Sequence, residues 1–120
     1  MRKEVYRTTV KHIGPEVEAF GGEMMILFGD NAPDALREYC YTIDINKPEG
    51  DILPGQTLSL DGEAYAIQSV GEAAQKNLTQ LGHLTVVFTG NEKALLPGAI
   101  VVENKPKQSI KVGTVIQILA

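Results

Sequence analysis

The sequence predicts an all-β protein, a closed or nearly closed antiparallel barrel of about seven or eight short strands with one or two short helices. Three observations predict this fold class. Short alternating or β-branched runs recur along the chain, as at Glu4–Ile13 and His83–Thr89. Glycine-containing turns separate these runs, and Asp61-Gly62 is typical of a two-residue hairpin with a primed turn. No long helical pattern is present, and closing a barrel removes exposed strand edges.

The first part of the chain reads as strand, turn and strand. Glu4–Ile13 is rich in β-branched residues and predicts a strand that Gly14-Pro15 ends. Glu16–Phe20 predicts a brief turn of helix. Glu23–Phe28 is a continuous apolar run between glycines, and its length favours a buried strand over a helix.

The segment Asn31–Ile45 is predicted to change from helix to strand. Asn31 is suited to cap a short helix, and Pro33 to be its first residue. From Tyr39 onward the side chains alternate, and a strand entered from a short helix holds its side chains rigidly, which suits a reactive group. One face of this strand carries Tyr39, Tyr41, Ile43 and Ile45, and the other carries Cys40, Thr42 and Asp44.

A local repeat and one helix organise the second part. Ile52–Leu60, Leu95–Val102 and Ile110–Ile118 each contain a glycine, at 55, 98 or 113, that is expected at positive φ before a strand. Glu72–Leu81 is the best helical segment, with Gly82 placed to end it. The last strand, Thr114–Leu119, is expected to close the fold.

The length and composition of the chain limit the classes of function that it can have. The 120 residues fit a single domain spanning 1–120. The net charge of −4 argues against nucleic-acid binding. No apolar run is long enough for membrane insertion, and the start of the chain does not resemble a signal peptide, so a cytoplasmic location is predicted. One cysteine and two histidines predict neither a metal site nor a disulfide, and no cofactor motif is present.

The stretch Ala32–Cys40 resembles the IIA component of the glucitol/sorbitol-specific phosphotransferase system. The resemblance implies a mainly β, barrel-like fold. It implies a transferase that takes a phosphoryl group from the histidine-containing phosphocarrier protein onto one histidine and passes it to sugar-specific IIB/IIC components. The likeness covers nearly the whole chain and continues through Leu53–Gln56, Val70-Gly71, Asn77-Leu78, Leu81–Thr85 and Leu96–Gly98.

One position departs from the family pattern. The resemblance places the phospho-accepting histidine at Ile43, which has no nucleophile. Whether the chain is an active phosphotransferase is therefore left open. The alternative is a non-phosphorylated binding or regulatory domain of the same fold, with Tyr41, Ile43 and Ile45 as an apolar docking face. On this basis we expect little phosphorylation of the wild type, any trace of it at His83, and a gain in the variant Ile43→His.

His83 is the candidate catalytic residue. Phosphoryl relay needs a nucleophile that is partly neutral near pH 7 and forms a labile phosphoryl bond, and imidazole meets both conditions. Its place after Gly82 predicts a pKa raised by the helix C-terminus, which favours a helper role. A structural role at a strand start is the other interpretation. The remaining reactive groups are assigned to the surface (His12), to the face opposite Ile43 (Asp44) and to the core (Cys40).

Overall fold

The computed structural model describes residues 3–120 and contains eight strands closed into a barrel, which confirms the predicted fold class. Going round the barrel, the strands follow the order β1-β3-β2-β6-β7-β5-β4-β8. Their bounds are β1 Glu4–Ile13, β2 Met24–Phe28, β3 Cys40–Ile43, β4 Thr57–Leu60, β5 Glu63–Val70, β6 Leu84–Val87, β7 Ala99–Val102 and β8 Val115–Leu119.

Two strand pairs differ from the predicted antiparallel arrangement. β2 and β3 run parallel, as do β6 and β7, while the other six pairs are antiparallel. Parallel neighbours need a connection that carries the chain back to the starting end of the sheet. Helix α1, Asp34–Arg37, lies in the first such connection, and a 3-10 helix at Glu92–Ala94 lies in the second.

The remaining local predictions are mostly confirmed. Helix α2 spans Ala74–Leu81 and ends at Gly82, whose φ is 68°. A 3-10 helix occupies Val17–Phe20. The expectations that Asn31 caps α1 and that Pro33 is its first residue are wrong, because Pro33 holds the cap position, Asp34 is the first residue and no side chain caps the helix. Within residues 3–120, no helix is both long and apolar enough to cross a membrane.

The predicted repeat is confirmed for its first and third segments, around Gly55 and Gly113, which are related by an internal two-fold symmetry of the barrel. Exchanging β1–β4 with β5–β8 maps the ring order onto itself and exchanges the two parallel pairs. A bulge follows Val10 in β1 and Ile67 in β5. Gly55 and Gly113 both have positive φ, at 92° and 96°. Gly98 lies outside this pairing and lacks the positive φ expected of it.

A close backbone approach recurs in both halves. A Cβ added to Gly14, after β1, would lie 2.3 Å from the carbonyl oxygen of Glu38. A Cβ added to Gly71, after β5, would lie 2.3 Å from the carbonyl oxygen of Leu96. Only glycine fits at such a distance, so the same residue type is required at both symmetry-related positions.

The barrel wall separates two apolar clusters. The main cluster fills the interior and includes Tyr41, Ile43 and Leu84. A smaller cluster of Phe28, Ala32 and Cys40 lies on the outside of β2 and β3, and its member Ala32 belongs to the segment that leads into α1. Because strand side chains alternate, neighbouring residues such as Ile43 and Thr42 lie on opposite sides of this wall.

Candidate functional site

Both histidines lie in one row of side chains on the outer face of the barrel. In the strand register, His12 of β1 is opposite Thr42 of β3, and Thr42 is opposite Phe28 of β2. The ring of Phe28 in turn stacks on His83, which directly precedes β6. The row therefore runs His12, Thr42, Phe28, His83 across four adjacent strands.

The end of α2 fixes the main chain at His83. The Gly82 N–H donates to the Leu78 carbonyl at 3.0 Å, and the His83 N–H donates to the Asn77 carbonyl at 3.2 Å. Gly82 reaches this geometry because it lacks a Cβ, so its positive φ costs little. The helix thus ends in a turn that presents the imidazole on the outer face.

The imidazole packs against an aromatic ring. The centroids of His83 and Phe28 are 4.5 Å apart, and the two ring planes differ by 17°. Burial lowers the pKa of His83 below its ordinary value of 6.5, because removal from water disfavours the charged form. The expectation that the helix C-terminus raises this pKa is therefore wrong. Desolvation by burial is the cause of this shift, and it favours the neutral imidazole.

The ring nitrogens of His83 remain free to react. Among residues 3–120, no side-chain hydrogen bond engages the imidazole, and the residue is only half-buried. A neutral imidazole keeps a lone pair on one nitrogen, which is the electron pair that a nucleophile needs. This arrangement fits a nucleophile better than the helper role inferred from the sequence.

Ile43 and His83 lie on opposite sides of the barrel wall. Ile43 is 2% exposed and belongs to the interior cluster, as does Tyr41. The apolar docking face predicted for Tyr41, Ile43 and Ile45 is therefore wrong for its first two members. Ile45 is 40% exposed and packs close to Gly29 and Gly82, beside His83. Position 45, rather than 43, is the part of this segment that approaches Gly82, the residue directly before His83.

His12 is exposed, as predicted, and lines a shallow surface cavity of about 320 Å³ with Asp30, Arg37 and Thr42. The Arg37 guanidinium is already engaged there, since it donates to the Ala32 carbonyl at 2.9 Å. This depression is open to solvent.

An adjoining cavity of about 370 Å³ shares Asp30 and Thr42 with the first and extends towards Ile45. On its edge, Lys11 forms an ion pair with Asp44 at 3.4 Å. Asp44 is exposed and lies on the face opposite Ile43, as predicted. It cannot take the place of a nucleophile at position 43.

Cys40 is a core residue, as predicted. Its side chain is 1% exposed in the outer cluster, and burial raises the pKa of its thiol. A thiol with a raised pKa is a poor nucleophile near pH 7. Within residues 3–120, no three His, Cys, Asp or Glu side chains lie close enough together to hold a metal ion.

Sequence reasoning missed one residue of this site, Phe28, and grouped Ile45 with Tyr41 and Ile43 rather than with Gly29 and Gly82. Phe28 ends an apolar run and was assigned with it to a buried strand, and its pairing with His83 depends on the β2–β6 register. The symmetry-related pair at the other end of these strands is Met24 and Val87, which carries no titratable group. The one sequence signal for a role of Phe28 was its position as an aromatic residue directly before Gly29.

Comparisons with known proteins agree with this architecture. The family model described as "PTS system glucitol/sorbitol-specific IIA component" matches residues 5–117. The glucitol/sorbitol-specific EIIA components of Escherichia coli (strain K12) and Shigella flexneri are each 34% identical over 114 residues, which is 94% of this chain and 93% of theirs. A PTS system IIA component from Enterococcus faecalis V583 superimposes with a TM-score of 0.85 at 26% identity, covering 96% of this chain and 100% of that one.

Proposed function

The chain belongs to the family of PTS system glucitol/sorbitol-specific IIA components, and on this premise we propose that it relays a phosphoryl group through His83. The donor is the histidine-containing phosphocarrier protein, and the acceptor is a sugar-specific IIB domain of a glucitol/sorbitol transporter. The proposed setting is the cytoplasm. The observation that carries this proposal is a half-exposed imidazole whose nitrogens have no side-chain partner and whose pKa is lowered by burial.

The proposed transfer conserves atoms and charge. The free nitrogen of neutral His83 attacks the phosphorus of the donor's phosphohistidine. The donor N–P bond breaks as the new N–P bond forms, and the donor leaves as a neutral imidazole. Each ring keeps the proton on its other nitrogen throughout, so no separate base is required. Passage to the IIB domain repeats the step with His83 as the leaving group.

The position of His83 on the outer face suits a reaction between two proteins. A donor histidine must bring its phosphorus within bonding distance, and His83 is half-buried next to the exposed Leu81 at the end of α2, where another protein surface can reach it. A buried residue such as Ile43, at 2% exposure, is inaccessible to a protein partner in this conformation. This supports His83 over position 43 as the acceptor in this chain.

The test is phosphorylation by enzyme I, the phosphocarrier protein and labelled phosphoenolpyruvate. In place of the low phosphorylation expected from Ile43 alone, the free imidazole leads us to expect acid-labile, alkali-stable label on the wild type, loss of the label in His83→Ala, and retention of it in the matched variant His12→Ala. Label that persists in His83→Ala and disappears in His12→Ala would move the site to the other end of the row. A wild type that takes no label would contradict the relay and favour the non-phosphorylated binding domain that Ile43 suggests.

A further inference from the structure

The contact between His83 and Phe28 has a use beyond packing. We propose that Phe28 is a positioning residue, which holds the plane of the His83 imidazole in the orientation that phosphoryl transfer requires. This inference rests on the proposed function, and it assigns to Phe28 a role through His83 rather than a contact with the donor. The geometry behind it is a near-parallel stack of the two rings, with centroids 4.5 Å apart and planes inclined by 17°.

Phe28 is itself held firmly. It is 6% exposed and packs in the outer cluster with Ala32 and Cys40, against Ile26. Its backbone lies in register with Thr42 of β3, so the strand ladder also restrains it. Because side chains in a packed cluster occupy fixed rotamers, the phenyl ring is a rigid surface against which the imidazole packs.

His83 has no comparable restraint of its own. Its main chain is fixed by the N–H bond to the Asn77 carbonyl at 3.2 Å, which leaves rotation about the side-chain bonds. Within residues 3–120, no side-chain hydrogen bond fixes the imidazole, although such a bond commonly orients a reactive histidine. The Phe28 ring is therefore the restraint that selects the imidazole plane.

The chemistry depends on this plane. The lone pair of an imidazole nitrogen lies in the plane of the ring, so the donor phosphorus must approach edge-on. A parallel stack covers one face of His83 and leaves its edges open. Fixing the ring in this way reduces the rotational freedom that must be lost on the way to the transition state.

The experiment compares Phe28→Leu with the conservative variant Phe28→Tyr, and with Phe20→Leu as a matched loss of an aromatic ring. Phe20 contacts Tyr39, with centroids 6.0 Å apart, so its loss leaves the His83 stack intact. Two signals are recorded for each protein: the chemical shifts of the His83 ring protons, and the rate of phosphorylation against the concentration of phosphorylated carrier. Phe28→Met is made as a second variant, of similar volume to leucine but with a flexible side chain that adapts to the space left by the ring.

In the wild type we expect the His83 ring protons to be shifted upfield by the phenyl ring current. Phe28→Leu and Phe28→Met should lose that shift and transfer phosphoryl on the order of tenfold to a hundredfold more slowly at saturating carrier, with unchanged KM, because a misplaced reactive group lowers kcat. Phe28→Tyr should keep the shift and most of the rate, and Phe20→Leu should match the wild type.

Undiminished kcat in Phe28→Leu and Phe28→Met would overturn the inference, and so would absence of the upfield shift from the wild type. Failure of the proposed function is distinguished by a different signal, the phosphoryl label. A wild type that shows the upfield shift but takes no label would have the His83–Phe28 stack without the relay, which would refute the proposed function and the role of Phe28 in it. If Phe28→Leu does not fold, Phe28→Met decides the outcome.

Discussion

The hairpin turn between β4 and β5 offers a sharp test of the backbone argument, through the variant Gly62→Val. Asp61 and Gly62 have φ of 50° and 88°, so both central residues are left-handed, as in the predicted primed turn. No heavy atom lies within 4 Å of a Cβ added at Gly62, so the substitution creates no steric overlap. The cost is therefore conformational, and we expect about 1–2 kcal/mol from placing an L-residue in the left-handed region.

The turn cannot easily relax to escape this cost. The Asp61 N–H donates to the Val115 carbonyl at 2.9 Å, and the Asp61 carboxylate accepts from the Val115 N–H at 2.8 Å. These bonds fix the turn against β8, so the strain in Gly62→Val remains local to the hairpin. For a domain of this size, the expected loss corresponds to a fall in Tm of roughly 3–12 °C.

Urea denaturation measures the effect directly, as a lower midpoint with an unchanged slope. The matched control is Gly22→Val, since Gly22 also has open space around its Cβ but does not have a positive φ. We expect this control to keep the wild-type midpoint. A Gly62→Val protein that unfolds at the same urea concentration as the wild type would refute the reasoning.

Three further predictions concern the site and the symmetry. The pKa of His83 is lowered from 6.5, so the folded chain binds fewer protons than the unfolded chain as pH falls below 6.5. The free energy of unfolding should therefore decrease below pH 6.5, and by more in the wild type than in His83→Gln. Urea midpoints on either side of that pH measure the difference. Ile43→His should lower the stability by about 1–3 kcal/mol, because it buries an imidazole in the core, and it should gain no label beyond that of the wild type, because position 43 is inaccessible to a protein partner; Ile43→Leu is the control, and urea denaturation and labelling measure the two effects. Gly71→Ala should destabilise more than Gly62→Val, because its Cβ would lie 2.3 Å from the Leu96 carbonyl oxygen; an equal or smaller loss of stability on urea denaturation would count against the close approach.

Local features of the fold were predictable from the sequence because local chemistry determines them. The β-branched run Glu4–Ile13 matches β1 in both bounds, and Gly82 ends α2 as the glycine after a helical pattern should. The direction and order of the strands were not predictable, since alternation of side chains is the same in parallel and antiparallel pairs. The parallel pairs and the two-fold symmetry became visible only from the register.

The candidate site was likewise predictable only in the features that the local sequence determines. His83 was identified from its chemistry, but its environment was predicted wrongly, because a helix end was visible in the sequence and the ring of Phe28 was not. The sequence also did not reveal that Ile43 and His83 lie on opposite sides of the barrel wall. Ile43 faces the interior with Val10 opposite it in β1, whereas His83 projects outward. The positions of two residues in the sequence do not show whether their side chains lie on the same side of the barrel wall.

The central claim is that His83 carries the phosphoryl group, and locating that group in the labelled wild-type chain tests it most directly. The protein is phosphorylated through enzyme I and the phosphocarrier, digested at alkaline pH to preserve phosphohistidine, and sequenced by tandem mass spectrometry. The account predicts phosphate on the peptide containing Leu81–Thr85, at the imidazole of His83. Phosphate on His12 or Asp44, or a wild-type chain without phosphate after full turnover of the carrier, would contradict it.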